Sequence, residues 1–84
     1  MNRHRLLRRL VRGAVNNVAF SDLANLVQGF GFVLMRTSGS QHIFTHPQIS
    51  ELINLQDVNG QAKPYQIRQF LRLIERYNLV LEED

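Results

Sequence analysis

A short stretch of small residues, Ser38-Gly39-Ser40, constrains the fold of this chain more than any other feature. It separates two runs that are typical of β-strands, residues 32–37 and 41–46. Glycine permits the backbone angles of a tight reversal, and the apolar runs stop on both sides of it, so the pattern predicts a β-hairpin. A histidine, His42, then lies directly after the turn.

The position of His42 suits a proton-transfer group. A residue at the start of a strand is held by the hydrogen bonds of the sheet, while its side chain can stay in solvent beside the turn. Histidine exchanges protons near neutral pH without special tuning of its environment. A single histidine near a turn is more often an ordinary surface residue, so the rest of the chain must decide its role.

The length and composition restrict the class of protein. The chain has 84 residues, which are enough for one domain with one small core. It contains no cysteine, which excludes disulfides, zinc–thiolate sites and thiol catalysis. No run approaches the ~20 apolar residues of a membrane span, and charges interrupt the apolar residues that a targeting signal would need. We therefore expect a cytoplasmic protein held together by apolar packing.

The charge pattern indicates an anionic partner. The formal net charge is +3, the sequence pI is about 10.2, and Lys63 is the only lysine. Arginine favours phosphate and carboxylate groups because its planar fork donates two parallel hydrogen bonds. Positive charge is concentrated at the N-terminus, and the chain closes on Glu82, Glu83 and Asp84. Nucleic acid is the leading class of partner.

The N-terminal segment predicts a short amphipathic helix. Apolar residues recur at helical spacing over residues 3–12, arginines occupy the remaining surface, and Gly13 is placed to end the helix. The apolar positions are Leu7, Leu10, Val11 and Ala14, and the basic positions are Arg5, Arg8, Arg9 and Arg12. Two interpretations stay open, an arm that contacts phosphates and a solvated helix face.

A second helix is predicted to begin at Ser21, whose hydroxyl is a good N-cap, with Asp22 near the positive end of the helix dipole. Gly31 follows its expected C-terminus. The apolar stripe of this helix is Leu23, Leu26, Val27 and Phe30. The apolar run 32–37 then predicts a strand that is buried on much of both faces.

The second strand leaves the face of His42 undecided. Side chains alternate along a strand, so His42 and Phe44 share one face and Ile43 lies on the other. If Ile43 points inward, His42 and Phe44 lie on the open face. If Ile43 points outward instead, Phe44 and His42 are buried together beneath the helices. Pro47 cannot donate to a sheet ladder and is expected to end the strand.

The last third of the chain predicts a strand and a helix. Residues 52–56 form the third strand of an antiparallel meander, with Ile53 and Leu55 on one face, before a turn at Asn59-Gly60. Pro64 suits the first position of the helix. The predicted inward stripe is Ile67, Phe70, Leu71 and Ile74, and a row on another face is Arg68, Arg72 and Arg76. A C-cap at Asn78 and a packing tail, residues 79–81, complete the prediction.

Two other kinds of site compete with proton transfer. His42 and His46 are four residues apart, which in a strand separates them by roughly 13 Å, too far to share a metal ion. Ser38 or Ser40 is a candidate nucleophile with His42, but turn serines usually bond the turn backbone and no acidic residue adjoins. We expect neither a metal site nor a cofactor.

The remaining polar residues match the needs of a phosphodiester site. Cations bind phosphate and stabilise transition-state charge, an aromatic ring stacks on a base, and histidine moves the proton. RNA supplies its own nucleophile, the 2′-hydroxyl, so its cleavage needs no metal. Besides His42, the candidates for RNA binding are Arg36, Lys63, Tyr65, Arg68 and Arg72.

At these residues the chain resembles a family. The stretch 31–47, followed by a strand and the helix start Ala62-Lys63-Pro64-Tyr65, is similar to the HicA (YcfA-like) toxins of bacterial type II toxin–antitoxin pairs. The family pattern is a Gly-Phe pair, a strand that ends in Arg-Thr or similar, and Gly-Ser-x-His at the next strand. Gly39-Ser40-Gln41-His42 fills the motif here. The similarity begins near Ser21, so residues 1–20 are predicted as a basic helix and connection and residues 21–84 as the HicA-like domain.

The resemblance implies both a fold and an activity. The fold is α+β, of the double-stranded RNA-binding type, with a three-stranded antiparallel sheet, helices on one face and the order α-α-β-β-β-α. The activity is metal-independent cleavage of messenger RNA, with His42 as the catalytic residue, Ser40 in the RNA-binding motif and a HicB-type antitoxin that covers the site. Many members carry a second histidine at the position of Gln41, so a two-histidine scheme here would need His46.

Two rival functions follow from the same basic surface. One is a nucleic-acid binding module that never cleaves, and the other is a protein-interaction domain whose arginines meet an acidic partner. Phosphate contacts weaken steeply with salt, but only an enzyme makes product.

Overall fold

The computed structural model describes residues 2–82, in which three helices and three strands follow one another in the predicted order. The helices are α1 (Arg3–Val11), α2 (Phe20–Gly29) and α3 (Pro64–Arg76), and the strands are β1 (Val33–Ser38), β2 (Gln41–Thr45) and β3 (Ile53–Gln56). The α+β class is confirmed. Within these residues no helix has the length and apolarity to cross a membrane. Glu83 and Asp84, two of the terminal acidic residues, lie outside the described residues.

The strands form one antiparallel sheet in the order β1-β2-β3, so β2 lies in the centre. The predicted hairpin is confirmed, because Ser38 pairs with Gln41 and leaves Gly39 and Ser40 as a two-residue turn. Gly39 has a φ of 59°, in the left-handed region that a residue without a Cβ adopts most readily. The turn therefore places His42 as the second residue of the central strand.

β1 is an edge strand, and the prediction that it is buried on both faces is wrong. All six of its residues are exposed, although Phe32 just before it is buried. Like β3 it has a neighbouring strand on one side only, but α3 packs against β3, whereas no comparable helix contact covers β1 within residues 2–82. The register with β2 shifts between Leu34 and Arg36, which places a bulge at Met35.

Phe44 decides which face of β2 points to the helices. It is 1% exposed and pairs with the buried Ile53. His42 is two residues away on the same side of the strand and pairs with the buried Leu55. The sequence left open which face of β2 points inward, and in the structure the face with His42 and Phe44 lies beneath the helices.

α2 supplies the centre of the core with the stripe that its sequence predicts. Leu23, Leu26 and Val27 are fully buried, and Phe30 is 4% exposed. Burial of one such side chain contributes roughly 1.5–3 kcal/mol. α2 therefore anchors the layer of helices above the sheet.

α1 packs into the same core through Leu6 and Leu10, each 1% exposed. The predicted stripe is wrong in part, because Leu7 is half-buried while Val11 and Ala14 are exposed. Leu6 with Leu10 and Leu7 with Val11 are both apolar pairs at i, i+4, so spacing alone does not distinguish the two rows. Contact with α2 selects the first row.

α3 is rotated slightly from its predicted orientation. Its buried residues are Gln66, Ile67, Phe70 and Leu73. Leu71 and Ile74, which the apolar pattern places in the stripe, are only half-buried. The side-chain oxygen of Gln66 accepts the N–H of Gln56 at 2.8 Å, and its amide nitrogen donates to the Gln56 side chain at 3.3 Å. This clamp holds α3 against the end of β3.

α2 begins at Phe20, so the prediction of Ser21 as its N-cap is wrong. The N-cap is Ala19, which forms an isolated bridge with Gln61. The N–H of Phe20 donates to the carbonyl oxygen of Gly60 at 2.8 Å. A loop distant in sequence thus satisfies one of the free N–H groups that a capping side chain would otherwise bind.

Most other predicted ends are confirmed. Gly13 and Gly31 follow α1 and α2 with positive φ angles, α3 begins at Pro64, and both residues of the Asn59-Gly60 turn have positive φ angles. The C-cap of α3 is Tyr77, one residue before the predicted Asn78. Leu79 and Leu81 of the predicted tail pack against the core, whereas the prediction is wrong for Val80, which is exposed.

Candidate functional site

His42 lies at the boundary between solvent and core. Its neighbours across the sheet are Thr37 of β1 and Leu55 of β3. Thr37 is exposed and Leu55 is fully buried, and the histidine itself is half-buried. The sheet therefore holds the backbone of His42 while leaving one side of its ring near solvent.

One ring nitrogen of His42 is held by the hairpin turn. Nδ1 lies 3.1 Å from the carbonyl oxygen of Ser40. A carbonyl oxygen only accepts, so Nδ1 carries the proton and the neutral ring has its lone pair on Nε2. The same oxygen accepts the N–H of Asp57 at 2.9 Å, and the Asp57 carboxylate accepts the N–H of Gly60 at 2.7 Å. These hydrogen bonds connect the imidazole to the hairpin turn at Gly39-Ser40 and to the turn at Asn59-Gly60.

The ring of Phe20 supports His42 from the helix side. The two ring centroids are 4.6 Å apart, with an interplanar angle of 48°. Phe20 is 7% exposed and is held by its backbone bond to Gly60. Together with the bond from Nδ1, this contact restricts the orientation of the imidazole.

The second ring nitrogen of His42 is available for chemistry. Nε2 forms no hydrogen bond within residues 2–82. Every buried side-chain nitrogen or oxygen in this part of the chain has a partner, so an unpaired Nε2 must be in contact with solvent. A neutral imidazole with an open Nε2 accepts a proton from a hydroxyl that comes within hydrogen-bond reach.

His46, at the other end of β2, has a structural role. It is 8% exposed, and its Nε2 donates to the carbonyl oxygen of Phe30 at 3.0 Å. Its Nδ1 accepts the N–H of Gln48 at 3.1 Å. The ring also packs edge-on against Phe32, with centroids 5.0 Å apart. Both nitrogens are occupied, so His46 offers no free group to a two-histidine scheme.

Arg36 lies on the opposite face of the sheet from His42. It pairs with Ile43, and the side chain of Ile43 alternates with that of His42. The bulge at Met35 is the cause, because without the extra residue Arg36 would pair with His42 and share its face. The structure therefore does not bring this predicted RNA-binding residue to the face of the histidine.

Lys63 and Tyr65 lie at the start of α3, where Lys63 is the N-cap. Ala62, the residue before it, donates its N–H to the carbonyl oxygen of Val18 at 2.8 Å. This bond joins the helix start to the segment that leads into Phe20 and hence to the support of the His42 ring. Tyr65 is 50% exposed, so its ring is accessible to a ligand.

The arginine row of α3 divides into free and paired members. Arg68 and Arg72 are exposed, and their side chains form no hydrogen bond or ion pair in the described part of the chain. Arg76 instead contacts the carboxylate of Glu51 at 3.2 Å. Arg72 and Arg76 line a shallow cleft beside the start of β3, together with Gln69. Two of the three arginines are thus free to meet an external anion.

Sequence reasoning missed Phe20 and Asp57. Phe20 lies in a stretch predicted as a connection. The sequence contains one indication of its role, because an apolar residue next to a helix start, here beside Ser21, often packs against the first turn of that helix. Asp57 acts through its backbone N–H, which no side-chain pattern reveals. Ser40 supports His42 through its carbonyl oxygen, and contact of its hydroxyl with RNA stays a prediction.

Comparisons with known proteins add no family to this geometry. No family model, no curated protein and no solved structure matches the chain. Within residues 2–82, no three histidine or carboxylate side chains gather into a set that could hold a metal ion. The interpretation of the site depends on its own residues and on the hairpin motif.

Proposed function

We propose that the chain is a metal-independent endoribonuclease, a toxin of the HicA kind, with His42 as its catalytic residue and a HicB-type antitoxin as its inhibitor. The observation that carries the proposal is the state of the His42 ring, in which Nδ1 donates to the turn and Nε2 is open to a substrate. The motif Gly39-Ser40-Gln41-His42 supports the choice of RNA and of the antitoxin through its resemblance to the toxin family.

His42 acts as the general base in this reaction. Nε2 accepts the proton of an RNA 2′-hydroxyl, and the 2′-oxygen attacks the adjacent phosphorus. The bond from phosphorus to the 5′-oxygen breaks, the departing oxygen takes a proton from water, and the hydroxide that remains takes the proton from Nε2. The products are a 2′,3′-cyclic phosphate end and a 5′-hydroxyl end. The bond from Nδ1 to Ser40 persists when the ring is protonated, so the imidazole keeps its orientation through the step.

The start of α3 supplies the other groups that the reaction needs. Lys63 has no hydrogen bond or ion pair through its side chain within residues 2–82, so its ammonium group can bind the phosphate. Tyr65 stacks on a neighbouring base. Arg68 and Arg72 bind the flanking RNA along α3. Arg36 contacts the RNA only if the RNA strand passes to the other face of the sheet.

Cleavage of a defined single-stranded RNA in the presence of a chelator tests the proposal. We expect the wild-type chain to form a product with a 2′,3′-cyclic phosphate, and His42→Ala to lose at least about 100-fold in rate. Thr37→Ala is the matched control, since Thr37 is the exposed neighbour of His42 on the same face. Circular dichroism verifies that all three proteins are folded. Equal cleavage by wild type and His42→Ala contradicts the proposal.

A non-catalytic RNA-binding module is the second candidate. The position of Arg36 favours it, because the bulge in β1 separates this cation from the face of His42. Such a module binds RNA with an affinity that falls as salt is added, but it forms no product under any of these conditions. The cleavage assay and a salt titration together separate the two functions.

A further inference from the structure

The arginines of α1 and its C-cap do not all have the same role. Arg3 donates to the side-chain oxygen of Asn25, with Nη2 at 2.7 Å. Arg9 donates to the carbonyl oxygens of Ala14 and Asn16, at 3.2 and 2.7 Å. These two arginines hold α1 to α2 and order the connection between the helices, so they serve the fold.

Three other arginines, Arg5, Arg8 and Arg12, have no hydrogen bond or ion pair through their side chains in the described part of the chain. All three are exposed. Their spacing of i, i+3 and i+7 places them on one side of the helix over about 10 Å of its length. This side faces away from the buried Leu6 and Leu10. We name these three residues the α1 arginine row.

The α1 arginine row is unfavourable for the helix itself. Like charges at i, i+3 and at i, i+4 repel each other. Arg5 also lies in the first turn, where the helix dipole disfavours a cation and where no acidic residue compensates. The dipole favours Arg8 in the last turn and Arg12 at the C-cap, but no side-chain contact of the row within residues 2–82 offsets the repulsion between the three charges. A bound anion would neutralise the charges and remove the repulsion.

We propose that the α1 arginine row binds the phosphate backbone of the single-stranded RNA that enters the His42 site. The identity of this RNA as a substrate rests on the proposed function. Each guanidinium can donate two parallel hydrogen bonds to a phosphate, and a row of them matches the repeated phosphates of one strand. The connection that follows α1 leads to Phe20, whose ring contacts His42, and Arg9 orders this connection. The C-terminal end of α1, with Arg12, therefore leads into the segment whose Phe20 ring packs on His42.

An acidic protein helix is the other occupant to consider. Leu7 and Val11 line an apolar groove between α1 and α3, on the flank next to the row. The α1 arginine row itself contains no apolar residue, and three cations in line fit a polyanion better than the mixed surface of an amphipathic helix. RNA is therefore the occupant that the row favours, and the groove provides a control position on the same helix.

The experiment measures the salt dependence of RNA binding by the full chain. The probe is a single-stranded 2′-O-methyl RNA, which cannot be cleaved because its nucleophile is blocked. We expect the triple variant Arg5→Gln/Arg8→Gln/Arg12→Gln to lower the slope of log K against log salt by about 2, since each phosphate contact on a single strand contributes about 0.7. The matched control is Val11→Gln, whose position is 67% exposed on the same helix, and it should leave the slope unchanged.

Two further measurements make the result decisive. Lysine at the three positions should restore the slope, because charge is sufficient for a phosphate contact. The glutamine variant should melt close to wild type, since glutamine and arginine have similar helix propensities and all three positions are exposed. An unchanged slope in this variant overturns the proposal.

The outcomes for the row and for the ribonuclease are separable. Cleavage that depends on His42, together with an unchanged slope, removes only the α1 arginine row from the RNA-binding surface. A reduced slope without any cleavage keeps the row and removes the enzyme. Failure of the wild-type chain to bind the probe overturns the proposal for the row, whereas the ribonuclease is decided by cleavage of unmodified RNA.

Discussion

The two ends of β2 place the same residue type in opposite situations. At the first end, His42 has one ring nitrogen bonded to Ser40 and the other open to solvent. At the far end, His46 has both nitrogens bonded, to Phe30 and Gln48, and is 8% exposed. Residue type alone therefore does not distinguish the two histidines of β2 and its end. The number of ring nitrogens left without a partner does.

The surroundings of the two ends explain the difference. His46 lies under the junction of α2 and β1, where a Cβ added to Gly31 would approach its Nε2 to 2.9 Å. His42 lies beside the exposed Thr37 at the turn end of the hairpin, and within residues 2–82 the ring of Phe20 is the one aromatic ring packed against it. One end of the strand is closed by the chain itself, and the other is in contact with solvent.

The largest expected effect is on cleavage by His42→Ala. We expect a rate loss of about 10²- to 10⁴-fold, or about 3–5 kcal/mol in the activation barrier, with little change in the free energy of unfolding. Single-turnover cleavage and urea denaturation measure the two quantities. Gln41→His is the informative companion, because Gln41 lies on the other face of β2. Increased cleavage in Gln41→His, with no effect of His42→Ala, would place the chemistry on the opposite face.

His46→Ala is expected to act on stability instead. The change leaves the carbonyl oxygen of Phe30 and the N–H of Gln48 without partners and opens a cavity against Phe32. We expect a loss of about 2–4 kcal/mol in the free energy of unfolding, measured by urea denaturation. The cleavage rate per folded molecule should not change. A selective loss of activity in a fully stable His46→Ala protein would remove the distinction between the two histidines.

Gly31→Ala tests how closely the chain packs around His46. The φ of Gly31 is 95°, and the new Cβ would meet the imidazole, so we expect a loss of about 1–3 kcal/mol in stability. Gly13→Ala is the matched control, with a φ of 97° and nothing within 4 Å of the added Cβ. The difference between the two variants isolates the conflict with His46. Equal effects in both would show that backbone strain alone accounts for the loss.

The smallest expected effect is on the pH dependence of stability, and it concerns the connection between β2 and β3, which begins at His46. Glu51, in this connection, accepts hydrogen bonds from the Tyr77 hydroxyl and from Arg76. The bond to the Glu51 carboxylate raises the pKa of Tyr77 above its ordinary value of 10.0, with smaller contributions from burial and from the charge of Glu51. The folded state therefore favours the protonated phenol, so this contribution is present below pH 10 and is lost as pH rises through the raised pKa.

Urea denaturation at pH 8 and pH 11 measures this dependence. We expect the stability of the wild-type chain to fall between the two values, and to fall less in Tyr77→Phe. Tyr65→Phe is the control, because Tyr65 is also exposed but forms no bond to a carboxylate within residues 2–82. An identical pH dependence in Tyr77→Phe and wild type would mean that Glu51 does not hold the end of the connection through this hydroxyl.

Much of the fold is predictable from local patterns, and the exceptions have specific physical causes. The strands around Gly39, the turn at Asn59-Gly60 and the start of α3 at Pro64 are confirmed, because each depends on neighbouring residues alone. The rotation of α1 and the exposure of β1 are not predictable in this way. Each depends on which neighbour covers a face, and two apolar rows at the same spacing give the same periodic signal.

The candidate site divides in the same way. His42 is predictable as a candidate because it follows a hairpin turn, but its ring contact with Phe20 joins residues that are far apart in the sequence. The bulge at Met35 moves Arg36 to the other face of the sheet, and no residue pattern in β1 predicts this bulge. The predicted set of RNA-binding residues is therefore dispersed over two faces of the molecule.

The sequence by itself determined the order of the elements, the hairpin turn and the place of His42 directly after it, because periodicity and the conformations of glycine and proline are local properties. Only the tertiary structure decided that His42 keeps a free nitrogen while His46 does not. It also decided which arginines of α1 are unpaired. These outcomes depend on partners such as Phe30 and Asn25, which only the folded chain brings within hydrogen-bond distance.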